Sequence, residues 1–217
     1  MTSGTTFAIL LGGELAVDDR VRGLVSGARA IAADGGIVHA EALGLAPELW
    51  VGDFDSVKDG DFSRWSDVPR RAFPAAKSQT DGEIAVEAAL ALGATRLVFL
   101  GALKGERSDH AGLHLLQAIG LAERGLDIVL TSGTEEAVPL IPGKMTLDLP
   151  AGALFSILPF SILQGLSLTG VRYPLDRVTV EFGSSWTLSN VAEGPVDIAL
   201  GAGRAIAISR PHDFSGV

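Results

Sequence analysis

Residues 97–122 read LVFLGALKGERSDHAGLHLLQAIGLA and place a strand, a polar turn and a helix in direct succession. The apolar run from Leu97 to Leu100 is typical of a strand buried on both faces, whereas Leu113 to Ala122 has apolar residues at the i, i+3 spacing of a helix. The same alternation extends through the first part of the chain. It predicts a mainly parallel sheet with helices on both faces and right-handed crossovers.

Four further strands and one further helix complete this first part. The predicted strands comprise residues 7–11, 30–33, 49–51 and 128–130, and the helix comprises residues 84–92. After about Ser132 the pattern changes to strict alternation, as in residues 144–149, with frequent Gly and Pro. This pattern predicts short antiparallel strands in a sandwich or barrel. We therefore predict an α/β domain over residues 1–134 and an all-β domain over residues 135–217.

The composition limits the partners and the compartment. The chain has 217 residues, 17 of them basic and 26 acidic, a formal charge of −9 and no cysteine. The negative charge disfavours a broad interface with DNA or RNA, and the lack of cysteine excludes disulfides and fits a reducing cytoplasm. The first apolar run lacks the features of a signal peptide, and the most apolar stretch, residues 153–168, is too interrupted to span a membrane. The hydrophobic content of 47% suggests an apolar interface between subunits.

Four carboxylate-bearing segments lie where predicted strands end or helices begin. They are ADGG at residues 33–36, GDFDS at 52–56, TDGE at 80–83 and GERSDH at 105–110. The carboxyl ends of strands line the ligand crevice of an open α/β sheet, so these acids are expected to share one space. Clustered carboxylates need a cation. Oxygen ligands suit Mg²⁺, which in turn suits a polyphosphate substrate.

Asp53 and Asp55 are the first candidates for Mg²⁺ ligands, because the D-x-D spacing after a strand lets both reach one ion and Gly52 permits the bend. An ordinary loop with an Asx-turn explains this segment alone equally well. Asp34 precedes two glycines, which would let the backbone approach a ligand, although a tight turn has the same pattern. The Gly pair of Leu11-Gly12-Gly13-Glu14 similarly suggests a close approach at the end of the first strand.

Thr80 and Asp81 begin a predicted helix, and Thr80 with Glu83 forms a capping-box pattern. The same helix N-terminus, with Lys77 close by, is suited to a phosphate, and the two interpretations are compatible.

Arg107 carries the forked guanidinium that phosphate oxygens prefer and is the candidate for neutralising charge in the transition state. Asp109 could orient Arg107, hold metal or cap the helix. His39 and His114 lie within helical patterns and are assigned no chemistry. No P-loop motif and no complete dinucleotide fingerprint occurs in the chain.

The ordered set LLGG, ADGG, GDFDS, QTDGEIAVEAAL and GALKGERSDHAGLHLL resembles the thiamin pyrophosphokinase family. The resemblance implies a homodimer with sites between subunits, and Mg²⁺-dependent transfer of a pyrophosphoryl group from ATP to thiamin, giving thiamin diphosphate and AMP. By this resemblance Asp53 and Asp55 belong to the metal motif, Asp34, Thr80 and Asp81 lie near metal and phosphates, and Arg107 and Asp109 belong to a G-x-R-x-D-H motif. Either Asp81 or Asp109 would accept the proton of the thiamin hydroxyl.

The C-terminal half carries the segments that resemble the thiamin site. Tyr173 occupies the place of a family aromatic residue, often Trp, and Ser189 and Asn190 resemble a Ser-Asn signature that is often followed by Glu rather than Val191. Trp186 is an alternative stacking partner or a buried sandwich residue. These departures leave open another heteroaromatic alcohol, such as a hydroxymethylpterin, as the acceptor. A non-catalytic sensor of thiamin diphosphate or nucleotide and a metal-dependent phosphohydrolase are the other hypotheses.

Overall fold

The computed structural model describes residues 4–54, 57, 59–73, 79–105 and 107–216. The backbone groups into two compact units. Unit 1 comprises residues 1–112 and 126–133, and unit 2 comprises residues 113–125 and 134–217. The domain boundaries given above, at residues 134 and 135, stay predictions.

Unit 1 is built on a parallel sheet. Its described strands are β1 Thr5–Leu10, β2 Arg29–Ala33, β3 Leu49–Gly52, β4 Arg70–Ala72, β5 Ala94–Leu100 and β6 Asp127–Thr131. They are hydrogen-bonded in the order β6-β5-β1-β2-β3-β4, and every pair is parallel. The chain runs from β1 toward β4 on one side and then returns to β5 on the other. In open parallel sheets, ligands bind at the carboxyl ends of the strands beside such a reversal.

Helices connect these strands, and the last of them, which begins at Ser108, continues into unit 2. They are α1 Asp19–Leu24, a 3-10 helix Asp34–His39, α2 Ala40–Leu43, α3 Asp59–Arg64, α4 Asp81–Ala91 and α5 Ser108–Glu123. Val21, Ile37 and Leu43 form one buried cluster with every second residue of the central strands. The alternate strand residues, such as Phe7 and Phe99, are equally buried, and α4 packs against β1, β2, β3 and β5. Because successive strand residues face opposite sides, both faces of the sheet are covered, as predicted.

The sequence patterns missed β4 and the short helices. β4 has three residues, all exposed, so it has no apolar alternation to detect. α1 has six residues and is set by a cap rather than by periodicity, because the Asp18 side chain accepts a hydrogen bond from the Val21 N–H at 2.8 Å. Among the described residues, no helix has the length and apolar character needed to cross a membrane.

Unit 2 contains an antiparallel β structure, together with the part of α5 that begins at Leu113. Its described strands are β7 Glu136–Leu140, β8 Gly143–Leu147, β9 Leu154–Pro159, β10 Leu163–Val171, β11 Leu175–Val180, β12 Asn190–Leu200 and β13 Ala205–Arg210. They pair in the order β7-β13-β9-β12-β10-β11, and β8 also pairs with β12. The long strand β12 pairs with β9 at its start and with β8 farther along. The core between these strands includes Phe155, Ile157, Leu166, Val196 and Leu200.

The predicted fold class is confirmed. The first half is a parallel sheet with helices, and residues 133–216 contain antiparallel strands and no helix. The change of pattern near Ser132 has a plain physical basis. Strands with only one face in the core alternate apolar and polar residues, whereas strands of a parallel sheet buried on both faces are continuous apolar runs.

Candidate active site

Three of the predicted acids meet at the carboxyl end of the parallel sheet. Asp34 follows β2, Asp53 follows β3, and Asp81 is the first residue of α4. Each contributes one carboxylate oxygen to a group in which all oxygens lie within 4.8 Å of one another, and all three residues are half-buried. Within the part of the chain that the structure describes, this donor set fits a hard divalent cation, which prefers several carboxylate oxygens at short distance.

The backbone around this carboxylate cluster is unusual. Asp34 and Phe54 have φ values of 45° and 63°, in the left-handed region that costs free energy for residues other than glycine. A Cβ atom at Gly52 would lie 3.1 Å from the Cα of Asp34, so the end of β3 approaches Asp34 closely. The indole Nε1 of the buried Trp50 donates a hydrogen bond to the Asp34 carbonyl at 2.8 Å. The rings of Trp50 and Phe54 pack nearly perpendicular to each other, with 5.1 Å between ring centroids. These contacts hold Asp34 in its strained conformation.

The start of α4 is a complete capping box. The Thr80 hydroxyl accepts a hydrogen bond from the Glu83 N–H at 3.2 Å, and the Glu83 carboxylate accepts one from the Thr80 N–H at 2.7 Å. The capping pattern in the sequence is therefore confirmed. Because Asp81 directly follows the capping residue Thr80, the capping box holds Asp81 in a rigid first turn of the helix.

Arg107 and Asp109 form a two-pronged ion pair in the loop and first turn after β5. Arg107 Nε donates to Oδ1 of Asp109 at 2.9 Å, and Nη2 donates to Oδ2 at 2.7 Å. The hydrogen bonds from Arg107 hold the pKa of Asp109 well below its usual range, and the same contact raises the pKa of Arg107. Both side chains are exposed, so solvent screens the pair and its contribution to stability is small. Asp109 is placed to orient the guanidinium, and its lowered pKa makes it a weak base.

The turn after β1 packs directly on the loop after β5. The Glu14 N–H donates to the Lys104 carbonyl at 2.9 Å. A Cβ atom at Gly13 would lie 2.3 Å from the carbonyl oxygens of both Gly101 and Lys104, which leaves room only for glycine. The close approach suggested by the Gly pair is therefore between two backbone segments, and Arg107 lies three residues beyond Lys104.

Two further residues at this end of the sheet were not identified from the sequence. Trp50 supports the Asp34 carbonyl, and His39 Nε2 lies 2.8 Å from the carbonyl oxygen of Gly13. Neither contact has a sequence signal. Trp50 has the pattern of an ordinary core residue, and the partner of His39 is 26 positions away in the chain.

The predicted residues of unit 2 interact mainly with one another. The buried Asn190 side chain accepts from the N–H of Tyr173 at 3.2 Å and of Val191 at 2.8 Å, and it donates to the Tyr173 carbonyl at 2.9 Å. These bonds fix the backbone of Tyr173 while its side chain stays exposed. Ser189 has a φ of 56°, and its N–H donates to the Ser156 hydroxyl at 3.0 Å. Asn190 thus places the backbone of Tyr173, and the Ser156 hydroxyl holds the N–H of Ser189.

Ser189 also lines a cleft of about 270 Å³ in unit 2. The other lining residues are Glu135, Leu154, Phe155, Ser156, Leu158, Ile208 and Arg210. Arg210 Nε donates to the Glu135 carboxylate at 2.9 Å, and this contact raises the pKa of Arg210. Trp186 is exposed rather than buried in the sandwich. Of the other predicted site residues, Asp55 and Lys77 lie outside the described residues.

An open parallel sheet with carboxylates gathered at its carboxyl end defines a class of α/β enzymes that bind their ligands at that edge. Residues 24–130 match the family model for the thiamin pyrophosphokinase catalytic domain, and residues 144–203 match the model for the thiamin pyrophosphokinase vitamin B1 binding domain. The chain belongs to the thiamin pyrophosphokinase family, and it is an enzyme of the transferase class. The resemblance noted in the sequence is confirmed.

Similar proteins extend over most of the chain. The thiamine pyrophosphokinase of Bacillus subtilis (strain 168) is 29% identical over 168 residues, which are 74% of this chain and 76% of that protein. The crystal structure of thiamine pyrophosphokinase from Bacillus subtilis has a TM-score of 0.83 at 24% identity and covers 96% of this chain and 100% of its own. Thiamin pyrophosphokinase from Candida albicans has a TM-score of 0.77 at 14% identity, covering 95% and 89%. At these identities the solved structures show the common fold.

Proposed function

We propose that this enzyme transfers a pyrophosphoryl group from ATP to thiamin in a Mg²⁺-dependent reaction, giving thiamin diphosphate and AMP. The observation that carries the proposal is the carboxylate cluster of Asp34, Asp53 and Asp81, whose oxygens lie within 4.8 Å of one another in a chain of this family. Three carboxylates at this distance repel one another, and a bound cation offsets that repulsion.

Asp34, Asp53 and Asp81 would hold magnesium, and we place Asp55 with them from its D-x-D spacing. Bound there, the ion would neutralise phosphate charge and orient the chain of phosphates. Other residues of unit 1 would contact the phosphates directly. Arg107, oriented by Asp109, would neutralise charge on the transferred group, and the start of α4 behind Thr80, with Lys77, would bind phosphate oxygens.

The transfer itself is a substitution at the β-phosphorus. The hydroxyl oxygen of thiamin forms a bond to this phosphorus. At the same time the bond from this phosphorus to the oxygen shared with the α-phosphorus breaks, and AMP leaves with that oxygen. Such a reaction depends on in-line positioning and charge neutralisation more than on covalent catalysis. The hydroxyl proton must go to a base. Asp81 and Asp109 are the two candidates for this base.

Unit 2 would bind thiamin and pair two subunits. The exposed ring of Tyr173 offers a face to a cationic heteroaromatic ring, and Ser189 and Asn190 hold the adjoining turn. Several large apolar side chains of this unit are exposed, among them Tyr173, Phe182, Trp186 and Leu188. Their exposure supports a homodimer, and sedimentation of the purified chain at the mass of a monomer would contradict it. We also place the enzyme in the cytoplasm, consistent with its lack of cysteine.

A product assay tests the reaction. The purified chain is incubated with ATP, Mg²⁺ and thiamin, and the nucleotides, phosphate and thiamin products are separated by chromatography, with thiamin omitted in a parallel sample. We expect AMP and thiamin diphosphate in equal amounts and no reaction without thiamin. Formation of ADP and thiamin monophosphate would refute pyrophosphoryl transfer.

Three other results would favour the alternatives. AMP formed only when a hydroxymethylpterin replaces thiamin would change the acceptor. Phosphate released in the absence of any alcohol would indicate a hydrolase. Binding of ATP or thiamin diphosphate without turnover under any of these conditions would indicate a sensor.

A further inference from the structure

His39 connects two parts of unit 1 that are distant in sequence. It is the last residue of the 3-10 helix Asp34–His39, whose first residue belongs to the carboxylate cluster. Its half-buried ring places Nε2 at 2.8 Å from the carbonyl oxygen of Gly13. A carbonyl oxygen only accepts hydrogen bonds, so Nε2 carries the hydrogen in this contact. The side chain therefore donates to the turn that follows β1.

The 3-10 helix is already seated on the end of β1 through its backbone. A Cβ atom at Gly36 would lie 2.2 Å from the Leu10 carbonyl oxygen, so the helix and the strand end are in direct contact. His39 adds a second attachment, at Gly13. Two attachments fix the position of the helix and its rotation about its own axis. They therefore also fix the direction of the chain at Asp34, where the helix follows β2.

Gly13 passes this constraint to the loop that carries Arg107. It lies so close to the carbonyl groups of Gly101 and Lys104 that no side chain fits between them, and its neighbour Glu14 donates to Lys104. The turn after β1 is thus clamped between His39 on one side and the loop after β5 on the other. Movement of Gly13 would shift the loop three residues before Arg107.

We propose that His39 is a positioning residue for ATP, which holds the turn at Gly13 and thereby sets Arg107 relative to the carboxylate cluster. The inference rests on the proposed function for the identity of the nucleotide. His39 touches neither substrate nor metal in this scheme. It acts through the hydrogen bond to Gly13, so a residue that keeps the donor should keep the function.

Two substitutions separate the hydrogen bond from the volume of the side chain. His39→Leu keeps the bulk and removes the donor, whereas His39→Gln retains an N–H at a similar reach. ATP binding in the presence of Mg²⁺ is measured by titration calorimetry on the full chain, and KM for ATP and for thiamin is measured in the product assay. We expect His39→Leu to weaken ATP binding roughly fivefold to tenfold, as for loss of one hydrogen bond. His39→Gln should return to within about twofold of the original chain.

The difference between the effect on ATP and the effect on thiamin distinguishes positioning from a general structural role. The KM for thiamin of His39→Leu should stay close to that of the original chain, whereas its melting temperature should fall by about 2–4 °C, because the hydrogen bond also forms without ligand. Unchanged ATP affinity in His39→Leu would overturn the proposal, as would equal weakening in His39→Gln. An equal loss of affinity for ATP and for thiamin would assign His39 to the fold alone.

A control variant, and the use of calorimetry beside the KM measurements, keep this test independent of the reaction. His212→Leu removes an exposed histidine from unit 2 and should leave ATP affinity unchanged. Calorimetry needs no turnover. If the original chain binds ATP but makes no thiamin diphosphate, the proposed reaction fails while the effect of His39 on ATP binding is still measured.

Discussion

The two units of this chain use their predicted site residues in different ways. In unit 1 the carboxylates of Asp34, Asp53 and Asp81 converge from three separate segments, with their oxygens within 4.8 Å of one another. In unit 2 the amide of Asn190 is committed to hydrogen bonds with the backbone of Tyr173 and its own neighbour. The first arrangement gathers negative charge in one place, whereas the second fixes the local fold. A substitution in the carboxylate cluster should therefore lower activity without loss of stability, whereas a substitution of Asn190 should lower both.

The largest effect is expected for Asp53→Asn. The change removes one charge from the carboxylate cluster and keeps the shape of the side chain, so turnover should fall by about a hundredfold or more. The melting temperature without metal should be equal or slightly higher, because repulsion among the carboxylates falls. Steady-state kinetics and thermal melting check both parts. The exposed Asp176→Asn of unit 2 serves as the control, and near-normal turnover of Asp53→Asn would remove Asp53 from the site.

Gly13→Ala should combine loss of activity with loss of stability within unit 1. The added Cβ would lie 2.3 Å from two carbonyl oxygens, so both loops must move. Overpacking of this kind costs about 1–3 kcal/mol in the free energy of unfolding, and ATP affinity should fall with it. Gly23→Ala in α1 is the matched control, because its Cβ would meet nothing within 4 Å. Denaturant unfolding that showed equal stability in the two variants would contradict the tight packing at Gly13.

Asn190→Ala tests the contrast from unit 2. It removes the partners of three hydrogen bonds around a buried side chain, which should lower the free energy of unfolding by about 1–3 kcal/mol. The KM for thiamin should rise and the KM for ATP should not. Tyr173→Ala removes the exposed ring but none of these backbone bonds, so it should raise the KM for thiamin with little change in stability. If both variants lost the same stability, the separate roles given to the two residues would be wrong.

Asp109→Asn should have the smallest effect on stability. The pKa of Asp109 is lowered by the hydrogen bonds from Arg107, so its stabilising contribution is present above the ordinary pKa of the carboxyl, 3.8, and is lost as the pH falls toward the lowered pKa. Because the pair is exposed, the difference in melting temperature between the variant and the original chain should be small at neutral pH and smaller still at about pH 3. A difference that grew on acidification would contradict the direction of this shift.

Most of the fold was predictable from hydrophobic periodicity and from the residues that mark the ends of helices and strands. The strands β1, β2, β3, β5 and β6, the two long helices and the antiparallel C-terminal half were all predictable, because each has a burial pattern several residues long. β4 was not predictable, since it is three exposed residues at the sheet edge. The capping box at Thr80 was predictable because its two partners are three residues apart and the geometry of a helix start is local.

The sequence by itself determined which residues carry charge and where strands end. Parallel strands share one carboxyl edge, so acids placed after β2 and β3 and at the start of α4 have to lie near one another. The tertiary structure decided the support of that edge. The contact of His39 with Gly13 and the bond from Trp50 to Asp34 join residues that meet only after strands pair. The same is true in unit 2 of the bond from Asn190 to the Tyr173 carbonyl. A hydrogen bond depends on distances of tenths of an ångström, and sequence spacing does not specify such distances across a fold.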